Sequence, residues 1–166
     1  MYRFAILTVS DRATTGEYTD HSGPLIAEYL QEHTNWLPQA QTIVPDEQPV
    51  IVHTLQQWVT ADIALILTTG GTGFAPRDIT PEATRQVIER EAPGLAEALR
   101  AESLKITRHA MLSRAVAGIA AQTLIINLPG SPKAVRESLD ILMPVLPHAL
   151  DLLRSQPQAN NDHRSV

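Results

Sequence analysis

Apolar residues gather in four short runs along the chain, at positions 4–9, 41–44, 63–68 and 123–127. Three of these runs are almost unbroken rather than alternating. That is the pattern of strands covered on both faces, as in a parallel sheet held between layers of helix. The run at 41–44 is shorter and is placed nearer an edge. Between the runs the spacing of apolar positions changes to that of a helix. Leu25 with Tyr29, Ile26 with Leu30, and Ile51 with Leu55 and Val59 repeat at i, i+4, which predicts helices over 25–32 and 50–59. Thr80-Pro81-Glu82 combines a cap residue, a proline and an acid ahead of a helix over 83–90. Pro93 restarts a helix through Lys105. Ser131-Pro132 repeats the cap-and-proline signal before Ala134, Val135, Leu139 and Leu142, and Pro144 and Pro147 break or restart the last helix, which ends near Arg154.

Strands alternating with helices imply βαβ units with right-handed crossovers. The predicted fold class is α/β, a three-layer sandwich with a mostly parallel central sheet flanked by helices. The segment 110–118 is too polar for a central strand and reads as a loop with a short edge strand. Residues 1–155 are expected to form one domain, followed by a polar, disordered tail over 156–166.

Composition narrows the classes of function. The 166 residues are 43% hydrophobic and 19% charged, ordinary for a single globular domain. There is no cysteine, which excludes disulfides, thiolate metal sites and a cysteine nucleophile, and which suits a reducing cytoplasm. The net charge of −5, with Lys and Arg scattered, argues against nucleic acid as the main partner. No stretch approaches the ~20 apolar residues of a membrane span. The first apolar run is short and is followed by Ser10-Asp11-Arg12 rather than a cleavage site, so a soluble, cytoplasmic protein is expected.

The chemistry collects after the strands. The runs end in Ser10-Asp11-Arg12, Pro45-Asp46-Glu47, Gly70-Gly71-Thr72-Gly73 and Pro129-Gly130-Ser131. Parallel α/β sheets bind ligands at the carboxyl ends of their strands, so these four loops are placed on one rim. Adjacent glycines allow positive φ and let backbone N–H groups approach an anion. Taken alone, the pair reads equally as a tight turn. It is neither a Walker A loop, since no Gly-Lys-Ser/Thr follows, nor a dinucleotide fingerprint, since Pro76 stands where a third glycine is needed. Asp46 and Asp78 each read either as support for a following helix or, on a shared rim, as hard oxygen ligands for Mg²⁺ against phosphate. Ser10, Ser113 and Ser131 are candidate donors to phosphate or substrate, although Ser131 also reads as a helix cap. Arg12, Arg77 and Arg114 read as phosphate binders or as surface ion pairs. The six histidines show no metal-ligand spacing, and no G-x-S-x-G elbow is present, so direct transfer between bound phosphates suits this rim better than covalent catalysis.

Thr8-Val9-Ser10-Asp11-Arg12, Val44-Pro45-Asp46-Glu47, the long motif from Leu67 through Gly70-Gly71-Thr72-Gly73-Phe74-Ala75-Pro76-Arg77-Asp78-Ile79-Thr80-Pro81 to Ala83, Met111-Leu112-Ser113-Arg114 and Ile125-Ile126-Asn127-Leu128-Pro129-Gly130 together resemble the molybdopterin adenylyltransferases, the MogA-type enzymes and gephyrin G domains. The resemblance runs in order from the first strand to about Arg154. It implies a MogA-like fold and a reaction in which molybdopterin and ATP, with Mg²⁺, give adenylyl-molybdopterin and pyrophosphate. By motif position it implies Asp46 and Asp78 as the essential acidic pair, acting through the metal, and Gly70, Gly71, Thr72 and Gly73 as the phosphate loop. Ser10, Ser113, Arg114, Asn127, Pro129, Gly130 and Ser131 are implied around the pterin and nucleotide. It further implies a homotrimer, with a molybdenum-insertion enzyme as candidate recipient of the product. Two alternatives stay open: a non-catalytic molybdopterin-binding protein of the same fold, as among short MoaB-type homologues, and a nucleotide-phosphate binding domain of unrelated purpose.

Overall fold

The structure, a computed structural model, describes residues 1–154; the tail expected over 156–166 lies outside them. Six strands form one sheet in the order β2-β1-β3-β6-β5-β4. They are β1 (Arg3–Val9), β2 (Leu37–Val44), β3 (Leu65–Thr69), β4 (Arg90–Glu91), β5 (Ala117–Ala120) and β6 (Thr123–Leu128). β2, β1, β3 and β6 run parallel, while β5 is antiparallel to both β6 and β4. The mostly parallel sheet is therefore as the unbroken apolar runs predict.

Side chains alternate across the sheet and build two cores. On one face Phe4, Ile6, Leu65, Leu67, Leu124 and Ile126 pack with Ile26 and Leu30 of α2 (Ser22–His33), Leu99 of α5 (Pro93–Leu104), Val135 and Leu139 of α6 (Pro132–Leu142) and Leu150 of α7 (Leu146–Leu153). On the other face Ala5, Leu7, Ile66 and Ile125 meet Ile51, Val52 and Leu55 of α3 (Gln48–Thr60) and Ala83 of α4 (Thr80–Val87). The i, i+4 stripes named from the sequence are these buried faces. Full burial of such side chains contributes roughly 1.5–3 kcal/mol each before entropy is counted. Trp36 is buried in the first core, edge-on to Tyr2 at 5.8 Å between ring centroids.

Four expectations need correction. β2 begins at Leu37 rather than at 41, with a register irregularity between Phe4 and Ala5 of its partner β1. Residues 110–118 are not a loop with an edge strand. A 3-10 helix over Arg108–Leu112 leads into β5, an interior strand, and the two-residue β4 forms the edge. β5 is interior because it is small and apolar: a side chain on Gly118 would come within 2.8 Å of the Arg90 carbonyl oxygen on β4. The helix expected to reach position 90 stops at Val87, freeing Arg90 and Glu91 for that strand. Finally, Thr80 does not cap α4. Its hydroxyl donates to the Gly70 carbonyl at 2.9 Å, fastening the helix start to the glycine loop.

Candidate active site

The chain passes from β1 outward to β2 and returns across β1 to β3, so the strand order reverses at β1 and β3. Loops leaving the carboxyl ends of those strands diverge and open a crevice. A cavity of about 250 Å³ lies there, lined by Ser10 after β1, Asp46 after β2, Gly70 and Gly71 after β3, Asp78 beyond them and Gly130 after β6. The four loops placed on one rim do meet in one cavity.

The glycine loop needs its glycines. Gly70 and Gly71 have φ of 93° and 66°, in the region that L side chains avoid. A Cβ on Gly71 would stand 3.1 Å from Asp46 Oδ1 and collide with the Thr80 hydroxyl, while one on Gly70 would strike the Val9 carbonyl. Gly130 lies across this loop, where a Cβ would be 3.6 Å from the Gly70 Cα. Strand end, glycine pair and α4 are thus in direct contact, and the backbone is open toward the cavity.

Asp46 is held by a reciprocal pair. The Asp11 N–H donates to Asp46 Oδ2 at 2.8 Å, and the Asp46 N–H donates to Asp11 Oδ1 at 3.0 Å. Burial, with the nearby Asp11 and Asp78 carboxylates, raises the pKa of Asp46 against the opposing pull of the Asp11 N–H and Arg77. Arg77 spans Asp11 at 2.6 Å and Glu47 at 2.7 Å, and its guanidinium holds the Asp11 carboxyl below the usual range. Asp78 turns back on its own loop, accepting the Ala75 N–H at 3.0 Å through Oδ2. Neither aspartate caps the helix that follows it.

Arg114 grips the far side of that loop. It donates to the Gly73 carbonyl at 2.7 Å and to the Asp78 carbonyl at 2.5 Å, and it pairs with Glu82, lowering that carboxyl's pKa. Its donors are committed to the protein. Beyond Thr72 and Gly73 lies a second cavity of about 280 Å³, bounded by α5, the 3-10 helix and α6. Ser113, Asn127 and Pro129 line it, but the Asn127 amide is spent: it donates to Thr68 and Thr84 hydroxyls at 2.9 and 2.8 Å and accepts the Val116 N–H at 3.2 Å. Ser131 lines neither cavity; its hydroxyl accepts the Ala134 N–H and caps α6.

Ser10 likewise caps the four-residue helix α1 (Asp11–Thr14) while its side chain borders the first cavity. The structure adds residues that the sequence reading passed over. Asp20 accepts the Thr8 hydroxyl at 2.6 Å and the Ser22 and Gly23 N–H groups at 3.0 Å, bracing the cavity wall. Tyr18 lines the same cavity, with Arg12 5.3 Å from its ring centroid. The signal for Asp20 was an acid two residues before the serine that opens a helix; Tyr18 left none. Among the described residues no cluster of three or more His, Cys, Asp or Glu could enclose a metal ion. The acidic pair, with Asp46 under the charge of Asp78, suits a cation that keeps most of its coordination for substrate oxygens and water.

Residues 5–148 match the family described as "Probable molybdopterin binding domain". Gephyrin from Dictyostelium discoideum is 44% identical over 96% of this chain, and the chain spans only 24% of that relative's length. The molybdopterin adenylyltransferase of Helicobacter pylori strain J99 is 46% identical, with 89% of this chain aligned to 85% of it. Among solved structures, the molybdopterin biosynthesis enzyme MoaB from Thermus thermophilus superposes with a TM-score of 0.89 at 51% identity, covering 95% of this chain and 99% of that one.

Proposed function

The chain belongs to the molybdopterin-binding domain family, and from that membership we propose that it is a molybdopterin adenylyltransferase of molybdenum-cofactor biosynthesis. In the reaction, an oxygen of the terminal phosphate of molybdopterin attacks the α-phosphorus of ATP. A new P–O bond forms, the bond from the α-phosphorus to the bridging oxygen breaks, and pyrophosphate leaves. The observation that carries this reading is the glycine loop as a shared wall: Gly70 and Gly71 face the cavity holding Asp46 and Asp78, and Thr72 and Gly73 face the second. Two substrates bound in adjacent cavities would present their phosphates to each other across it.

The first cavity takes the nucleotide phosphates and the second the pterin. Ser10 and the open glycine backbone orient the phosphates, and Arg114 keeps the Gly73–Asp78 segment in place from behind. Asp46 and Asp78 would hold Mg²⁺, which when bound would offset the negative charge gathering on the phosphates. Such transfer depends on positioning and charge neutralisation, with no protein nucleophile required. A homotrimer is part of the same proposal. So is a molybdenum-insertion enzyme as recipient of the product, since this domain matches one part of the much longer gephyrin.

The test is to incubate purified protein with molybdopterin, ATP and Mg²⁺. Adenylylated pterin is expected, with one pyrophosphate per pterin consumed, and chelation of the metal is expected to stop it. Pterin binding without pyrophosphate release would indicate a binding protein. ATP binding with which molybdopterin neither competes nor reacts would indicate an unrelated nucleotide domain.

A further inference from the structure

The second cavity carries one acid. Its wall from α6 consists of Ala134, Glu137 and Ser138, with Leu99, Leu112 and Pro129 among the apolar groups around them. Ser138 returns its hydroxyl to the Ala134 carbonyl at 2.7 Å, and the nearby Arg100 donates to the Ala115 carbonyl at 2.8 Å. Among the described residues Glu137 is tied only to Lys133, at 3.9 Å one turn earlier on the same helix, and that lysine is 81% exposed. A pair so long and so wet contributes little. A carboxylate on a largely apolar wall, with no close donor, loses hydration when a ligand fills the cavity unless that ligand brings donors of its own.

From this, and resting on the proposal that molybdopterin occupies this cavity, we infer that Glu137 reads the pterin ring. A 2-amino-4-oxo pterin presents two parallel N–H donors, the exocyclic amine and the adjacent ring N–H. They match a carboxylate in the same two-pronged way as a guanidinium does. The pairing anchors the ring by its donor edge and leaves the phosphate-bearing arm free to reach Thr72 and Gly73 on the same cavity's boundary. Glu137 is thereby a specificity-determining residue that touches substrate but takes no part in the transfer.

Glu137→Gln keeps the size of the side chain and removes one of the two acceptors. In steady-state adenylylation its KM for molybdopterin is expected to rise about tenfold or more, the effect of losing a charge-assisted bond. Its kcat and its KM for ATP are expected to stay within about twofold of the parent. As competitors, 6-hydroxymethylpterin is expected to inhibit the parent better than 6-hydroxymethyllumazine, which has oxygen in place of the amine, and E137Q is expected to lose that preference. An unchanged KM together with an unchanged preference overturns the inference while leaving the proposed reaction standing. An equal rise in KM for Lys133→Ala would assign the effect to α6 as a whole and overturn it too. If the parent protein forms no adenylylated pterin at all, the reaction itself fails and this inference falls with it.

Discussion

Asp46 is placed where its charge works against the fold. Its folded pKa is raised, chiefly by burial, with Asp11 and Asp78 adding to the effect. The folded protein therefore binds a proton at Asp46 more readily than the unfolded chain does. The resulting stability is complete below the unfolded pKa and is lost as pH rises through the folded one. At neutral pH the ionised carboxylate is a burden that an asparagine side chain would not carry, while the amide oxygen could still accept the Asp11 N–H. Asp46→Asn is expected to raise Tm at pH 7, with the gain shrinking as the pH falls through the titration of Asp46, and to abolish adenylylation. Thermal melts from pH 3 to 8 would check this; a lower Tm for the variant at pH 7 would contradict it. Both aspartates were legible in the sequence: Asp46 directly follows a strand end, and Asp78 stands between the glycine loop and the start of the next helix. What they touch was not legible, since the Asp11–Asp46 pair joins residues 35 apart and depends on the β1–β2 register. Asn127 shows the same limit: motif position put it beside a ligand, whereas its amide ties β3, α4 and the start of β5 together inside the core.

At the scale of elements, cap and proline signals placed α6 and α7 closely, because they are local chemistry read over three or four residues. Ser131 belongs to this level. Its hydroxyl satisfies the Ala134 N–H at 3.2 Å, and it lines neither cavity. Ser131→Ala is expected to cost about 1 kcal/mol, a fall in Tm of about 2–4 °C for a domain of this size, with kcat unaltered. Loss of activity without loss of stability would return Ser131 to the site. The signal at Thr80 misled because the hydroxyl had a better partner out of sequence range, the Gly70 carbonyl. β4 escaped notice, and β5 was legible only as a short edge strand in 110–118, for a different reason. With two and four residues they are too short for an alternation to show: β5 exists because β6 offers it an edge, and β4 because β5 does.

For the molecule as a whole, the alternation of strands and helices was enough for a parallel α/β sandwich, and the rule of strand carboxyl ends was enough to gather four loops on one rim. The strand order, and hence the crevice between β1 and β3, came only with the structure, as did the division into two cavities about the glycine loop. Phe74, Ile106 and Met111 stand more than half exposed on the loop and 3-10 helix side, the sort of apolar surface that association covers. Light scattering is expected to give three times the mass of one chain, and a monomer at working concentration would contradict the trimer. Our central proposal is that the carboxylate pair beside the glycine loop, by holding Mg²⁺, supports the transfer between substrates in the two cavities. It is tested most directly by pyrophosphate release from molybdopterin, ATP and Mg²⁺ for the parent protein and for Asp78→Ala. Stoichiometric release by the parent and none by a folded Asp78→Ala protein is the expected result; full release by Asp78→Ala would contradict it.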